Sequence, residues 1–188
     1  LLERTRLDGH QREYVHTARN SADHLLSLLN DILDVSAMES GKMGIHPIPI
    51  PLTSLLDSVD QLVRPLASQK GLDFAIHKAA DLPAWVEADG TRLKQIILNL
   101  VTNAIKFSDR GSVILRIGRA PLATVGNEGI YPLQLEVTDQ GIDMDAATLA
   151  RLFERFTQGD ASTSRRFGGT GLGLEISRNL ARRMGGDI

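Results

Sequence analysis

The stretch Asn99–Ser108, NLVTNAIKFS, closes a segment that reads as one helix from Thr91 to Phe107. At about 100° per residue, Asn99, Asn103 and Lys106 fall within about 60° of one another on its surface. Leu93, Ile97, Leu100 and Ala104 form a separate apolar stripe roughly a third of a turn away, so the helix can face a core while its edge carries three polar groups. Two carboxamides and an ammonium suit a ligand that brings a hard cation together with phosphate oxygens: an Asn carbonyl can ligate magnesium and a Lys can neutralise phosphate. The same residue types also populate solvated helix faces, so the flanking sequence has to decide between the two readings.

On the upstream side, Met43–Ile50 alternates as an edge strand. Pro47, Pro49 and Pro51 restrict it and turn it into an extended linker. Thr53 is placed to cap a helix reaching Gln69, with Leu55, Leu56, Val59, Leu62, Val63 and Leu66 inward; Pro65 is expected to kink it or end it early. LDFAIHK (Leu72–Lys78) alternates as a strand, Trp85–Glu87 reads as another, and Asp89 leads into the central helix. Downstream, Ser112–Gly118 and Tyr131–Thr138 alternate cleanly about a hairpin-like, Gly/Pro/Asn-rich connection, and helices follow at Asp145–Phe153 and Thr170–Met184. Strands joined by helices of this length indicate an α/β layer arrangement, one sheet with helices on one face.

The N-terminal region differs. After the end of one helix at residues 1–8 and a turn near Asp8-Gly9, a long helix runs to Ser40 and is closed by Gly41. Val15, Ala18, Ala22, Leu25, Leu29 and Ile32 recur at alternating intervals of 3 and 4, a heptad seam widened by Leu26, Leu28, Leu33 and Val35. Such a seam needs a partner, and a two-chain helical bundle or a segment upstream would supply it. The boundary to the α/β region falls near residues 40–46.

The 188 residues, 42% hydrophobic and 23% charged, make an ordinary globular composition, and a formal net charge of −2 excludes nucleic-acid binding through the overall field. With no cysteine, a disulfide scaffold and a cysteine-ligated metal site are excluded. No apolar run is long enough to cross a bilayer, so no membrane contact is expected of this piece. Starting at Leu1 and stopping at Ile188 just after Gly185-Gly186, it reads as a fragment of a cytoplasmic region whose parent could carry a membrane anchor or sensor.

Two further stretches bear on the ligand. In VTDQGID (Val137–Asp143), Asp139 stands at a strand end as a buried or half-buried carboxylate able to accept a hydrogen bond from an exocyclic amine, with Gly141 permitting a tight turn. In FGGTGLGLEIS (Phe167–Ser177), Gly168, Gly169, Gly171 and Gly173 lead straight into a helix, whose bare amides form an anion site. Between them, LFERF carries Phe153 and Phe156. The polar TQGDASTSRRF segment that follows could fold over a nucleotide as a lid, with Arg165 or Arg166 reaching its phosphates. The five histidines, His10, His16, His24, His46 and His77, show no metal-ligand spacing, and no Ser/His/Asp set is present.

The order NLVTNAIKFS, VTDQGID, LFERF, GGTGLGL resembles the catalytic ATP-binding domain of sensor histidine kinases of two-component systems, within the GHKL ATPase superfamily. LLNDILDVSAMESGKM similarly resembles the second helix of the dimerisation and histidine-phosphotransfer domain, particularly in hybrid kinases. The resemblance implies a two-layer α/β sandwich with a mixed sheet, preceded by a bundle-forming helix. Residues 1–42 would be part of the helical region and 43–188 the catalytic domain, lacking its final strands. It also implies ATP and Mg2+ as ligands: Asn103 on magnesium, Asn99 beside the triphosphate, Lys106 on phosphate and Phe107 against the nucleotide. Asp139 would bind the adenine amine with Gly141 and Asp143 around it, and Gly169, Thr170, Gly171, Leu172 and Gly173 would hold the phosphates under the lid with Arg165 and Arg166. The partners implied are a second copy, as a homodimer through the helical region, and a receiver domain whose aspartate takes the phosphoryl group from a histidine.

Two departures stand out. Asp143 occupies the second glycine position of the Asp-x-Gly-x-Gly motif, adding a negative charge near the nucleotide, so weaker ATP affinity is expected. None of the five histidines has the acidic neighbour and following proline of the family's phosphoacceptor, so the histidine to be phosphorylated should lie elsewhere. A degenerate kinase acting as a dimerising or regulatory nucleotide-binding module competes with the catalytic reading, as does another GHKL ATPase that uses ATP for conformational closure.

Overall fold

The apolar spacing along the chain generates two separate units, Leu1–Gly44 and Ile45–Ile188. The computed structural model describes Thr5 and residues 7–120, 132–154 and 171–188. In the first unit, helix α1 spans Gly9–Glu39. Asp8 starts it through a capping box: its carboxylate accepts the Gln11 N–H at 2.8 Å, and the Gln11 side chain accepts the Asp8 N–H at 3.1 Å. The expected seam is solvent-facing in the single chain, with Leu25 67%, Leu29 51% and Ile32 55% exposed. Exposure of so many large apolar groups on one helix marks an association surface.

The second unit begins with β1 (Ile48–Pro51) and α2 (Leu52–Gln69), then β2 (Asp73–Lys78), β3 (Trp85–Ala88) and α3 (Gly90–Phe107). It continues through β4 (Ser112–Arg119), β5 (Leu133–Thr138), α4 (Ala146–Arg151) and α5 (Gly173–Arg183). β2 runs parallel to β4, the β3–α3 segment making the crossover, and β4 pairs antiparallel with β5, so the three form a mixed sheet. β1 and β3 pair apart from it as an antiparallel ribbon, in register from Ile48 opposite Ala88 to Pro51 opposite Trp85. A two-stranded ribbon has only edges, which is where strand prolines are tolerated.

Alternation along β4 sends Val113, Leu115 and Ile117 inward, where they meet Leu56, Val59 and Val63 of α2 and Leu93, Ile97 and Val101 of α3 in one core. The opposite face is polar: Arg116 donates to Glu136 at 3.2 Å and to Thr138 at 2.9 Å. The helices therefore cover one face of the mixed sheet, as the α/β reading requires, but the strands do not make the one sheet expected, since β1 and β3 pair separately.

Several local expectations are corrected. No extended linker or Thr53 cap precedes α2, because Pro51 takes the cap position and the Leu52 N–H donates to Ala84 O at 3.0 Å, satisfying the first turn from outside the helix. Pro65 does not end α2. It and Gln61, whose carbonyl loses a partner to the proline ring, lie on the exposed side, while burial of Val59, Val63 and Ala67 holds the helix through that turn. Leu62 and Leu66 are accordingly exposed rather than inward. α4 and α5 are shorter than expected, and most of the connection before β5 lies outside the described residues.

Candidate functional site

Asp89 fixes where α3 starts, accepting the Arg92 N–H at 3.1 Å and the His46 N–H at 3.2 Å. Burial opposes its ionisation, but these backbone donors hold its carboxyl below the usual carboxylate range. Buried Leu93, Ile97, Val101 and Ala104 then set the rotation of the helix. Asn99, Asn103, Lys106 and Phe107 are left half-buried on its remaining surface.

Two arms close on that edge. The first is α5, which packs against α3. The Asn99 side chain donates through Nδ2 to Ser177 Oγ at 2.8 Å, and Asn103 Nδ2 approaches Asn99 Oδ1 at 3.4 Å. Gly173, the first residue of α5, abuts the same carboxamide so closely that a Cβ there would overlap Asn99 Oδ1. Gly171 just before it has φ +69°, a conformation that glycine adopts without strain. The N-cap residue of α5, Leu172, makes no side-chain cap hydrogen bond. Leu172 is buried, so only its backbone can face a ligand.

The second arm is the turn after β5. Ile142 N–H donates to Phe107 O at 3.3 Å, and a Cβ on Gly141 would lie 2.5 Å from that carbonyl oxygen. Only a residue without Cβ lets this turn dock on the end of α3. Asp139 Oδ1 accepts the Gly141 N–H at 2.8 Å. Asp139 is exposed, not buried or half-buried as expected, because the chain leaves the sheet at Thr138. Asp143, in the same turn, is also exposed.

Lys106 Nζ lies 4.8 Å from the centre of the Phe107 ring, and burial pushes its ammonium below the ordinary lysine value. A half-buried cation beside an aromatic face suits a polyanion that would restore its lost solvation. The C-terminus of α3 is held by a residue that sequence reasoning missed. Lys70, 35 positions or more away in sequence, donates from Nζ to Ile105 O at 2.9 Å, Lys106 O at 2.8 Å and Ser108 O at 3.1 Å. Ser177 was missed too, although its position one turn beyond Gly173 was a signal. Phe153 of LFERF lies under the Arg178 guanidinium at 4.5 Å. Arg165, Arg166, Gly169, Thr170, Phe156 and the expected lid lie outside the described residues.

The donor set suits a metal that arrives with its own ligands. Among the described residues no group of three or more His, Cys, Asp or Glu side chains could hold a metal ion. One carboxamide oxygen on Asn103 matches magnesium's habit of keeping waters and nucleotide phosphates as its main ligands.

A sequence model of the histidine kinase-, DNA gyrase B- and HSP90-like ATPases matches residues 88–188, the segment that holds both arms and α3. The chain belongs to this ATPase family. The His Kinase A (phospho-acceptor) domain matches residues 1–41, ahead of the ATPase segment. Signal transduction histidine-protein kinase BarA of Escherichia coli (strain K12) is 41% identical over 188 residues, covering all of this chain and 20% of BarA. Hybrid signal transduction histidine kinase B of Dictyostelium discoideum is 39% identical over 189 residues, covering all of this chain and 9% of that protein. The chain thus spans a fifth or less of the length of these two relatives. Full-length ShkA, crystallised in complex with AMPPNP, superposes with a TM-score of 0.76 at 36% identity over 98% of this chain and 36% of ShkA. The α/β layers of this ATPase-family domain and the long helix before it follow the architecture of that histidine kinase structure.

Proposed function

We propose that the chain is the ATP-binding catalytic region of a hybrid sensor histidine kinase, in which residues 43–188 bind magnesium-ATP and residues 1–42 belong to the dimerising helical region. In the intact protein the γ-phosphate would pass to a histidine and then to a receiver aspartate, on the cytoplasmic side. The observation that carries this reading is the clamp on α3: Asn99, with Asn103 beside it, meets the glycine-led start of α5, while the Gly141 turn seats on Phe107 O.

In this reading Asn103 offers Oδ1 to magnesium and Asn99 lies beside the triphosphate. Lys106 neutralises phosphate oxygens, and Phe107 lies against the nucleotide. Asp139 keeps one carboxylate oxygen on the Gly141 N–H and presents the other to an exocyclic amine. The glycine-rich start of α5, at Gly171 and Gly173, receives phosphate. Magnesium, when bound, supplies charge neutralisation of the β- and γ-phosphates. The protein's own contribution is orientation and a fixed field, with no covalent step on these residues. The exposed Leu25, Leu29 and Ile32 of α1 pair with a second copy.

Incubating the chain with γ-labelled ATP, a supplied phosphoacceptor helical domain and a receiver domain tests the reading. Label on the phosphoacceptor that moves to the receiver supports it. Nucleotide binding without any transfer would instead favour the regulatory module.

A further inference from the structure

We infer that Arg178 is a positioning residue that ties the two arms of the nucleotide clamp to each other, by holding the end of the α4 segment against α5; this rests on the magnesium-ATP reading above. The arms meet α3 at separate places, the Gly141 turn on Phe107 O and the start of α5 on the Asn99 carboxamide. Beyond the turn the chain runs from Asp143 directly into α4, whose start is set by Asp145 accepting the Thr148 N–H at 2.7 Å. No residue of α4 is buried, so packing into the core does not locate this helix. Phe153, half-buried and two residues beyond its end, supplies a contact to another element: the Arg178 guanidinium carbon lies 4.5 Å from the centre of its ring. That is within the reach of about 6 Å over which a cation is drawn to an aromatic face.

Consecutive residues on a helix point about 100° apart, so α5 can meet two neighbours at one level. Ser177 meets Asn99 of α3 at 2.8 Å, and Arg178 meets Phe153. Arg178 is itself held in place. Asp187 Oδ1, just past the end of α5, accepts the Arg178 Nε–H at 3.0 Å and the Arg182 Nε–H at 3.1 Å. These two arginines stand one turn apart, where like charges repel, and the carboxylate offsets that repulsion. Their donors hold the Asp187 carboxyl well below the usual carboxylate range, so the counter-charge persists through neutral and mildly acid pH. Because Nε–H bonds in the plane of the guanidinium, its flat face stays available to the ring. The contacts close a circuit: α3 to the Gly141 turn, the turn through α4 to Phe153, Phe153 to Arg178, and α5 back to Asn99. Without the Arg178 link each arm rests on its own contact with α3, and a nucleotide that engages both has to order them as it binds.

The test is calorimetric titration of the 188-residue chain with a non-hydrolysable ATP analogue and magnesium, beside thermal unfolding without nucleotide, for wild type, Arg178→Gln, Phe153→Leu, their double variant, Phe153→Tyr and Asp187→Asn. Arg178→Gln and Phe153→Leu should each lower affinity roughly two- to fivefold, the size of one partly exposed cation–π contact, and the double variant should lose no more than either one. Phe153→Tyr, which keeps the ring face, should bind as the wild type does. Should a Phe153 variant fail to fold, Arg178→Gln and Asp187→Asn carry the comparison, both lowering affinity. A folded Arg178→Gln variant that binds as the wild type does, whether or not its melting temperature falls, overturns the inference. So do losses that multiply in the double variant, or Phe153→Tyr binding as poorly as Phe153→Leu. Each of these leaves the magnesium-ATP reading standing, whereas absence of nucleotide binding by the wild type removes that reading and the inference with it.

Discussion

Replacing Gly141 with alanine should weaken nucleotide binding far more than the addition of one methyl group suggests. The new Cβ would lie 2.5 Å from Phe107 O, 2.9 Å from Phe107 C and 2.8 Å from Asp139 Oδ1, against an ordinary contact of 3.4 Å or more. Two of these three atoms are α3 backbone and cannot swing aside, so the turn itself has to retreat by nearly 1 Å. Retreat stretches the Ile142 N–H bond to Phe107 O, already 3.3 Å, and displaces the Asp139 carboxylate from the position proposed to meet the nucleotide base. Overpacking of this kind costs about 1–3 kcal/mol, and the lost hydrogen bond adds about 1 kcal/mol. If about 2–3 kcal/mol of this falls on the bound state, affinity drops roughly 30- to 150-fold. Titration with a non-hydrolysable ATP analogue measures it. Gly9→Ala serves as the control, because no atom lies within 4 Å of a Cβ built there. Affinity within twofold of wild type for Gly141→Ala would refute the docking of this turn as a requirement for binding.

Other outcomes follow from single contacts. Lys70→Met removes the ammonium from three carbonyls at the end of α3 and should lower stability by about 1–2 kcal/mol, read by urea unfolding; an unchanged midpoint would show that the helix end needs no such partner. Lys106 titrates below the ordinary lysine value of 10.5 because of burial. Its folded form holds the proton less tightly than the unfolded chain, so its charge costs stability at neutral pH, and that cost is relieved as pH rises through the folded pKa. Nucleotide affinity should move the opposite way, falling over the same alkaline range in wild type but not in Lys106→Arg, and equal profiles for the two would contradict a phosphate role. Asp143→Gly should raise affinity roughly two- to fivefold at low salt, with the gain shrinking in about 0.5 M salt because the residue is exposed. No gain at low salt would clear Asp143 of any effect on the nucleotide.

What could be read in the sequence was local and periodic. The α3 seam, the Asp89 start and the strand alternation of β2 and β4 all follow from spacing within a dozen residues, and each element appears where its pattern ends. Errors arose where a distant partner decides the outcome. Leu52 gains its hydrogen bond from Ala84, so Thr53 is not needed as a cap. Pro65 is tolerated because α2 is held by core residues on its other side. At the site, residue types alone marked Asn99, Asn103 and Gly173. Lys70 stayed hidden because a lysine at a helix end looks like any solvated lysine until the fold brings three carbonyls to it. Ser177 lay in plain view at the close of the glycine-rich stretch, but its link to Asn99 spans 78 positions.

The most direct measurement is calorimetric titration of the chain with a non-hydrolysable ATP analogue, with and without magnesium, alongside Asn103→Ala. Binding by the wild type that strengthens with magnesium, and loss of that strengthening in the variant, is the expected result. No binding, or binding indifferent both to magnesium and to Asn103, would contradict the assignment of this clamp as a magnesium-nucleotide site.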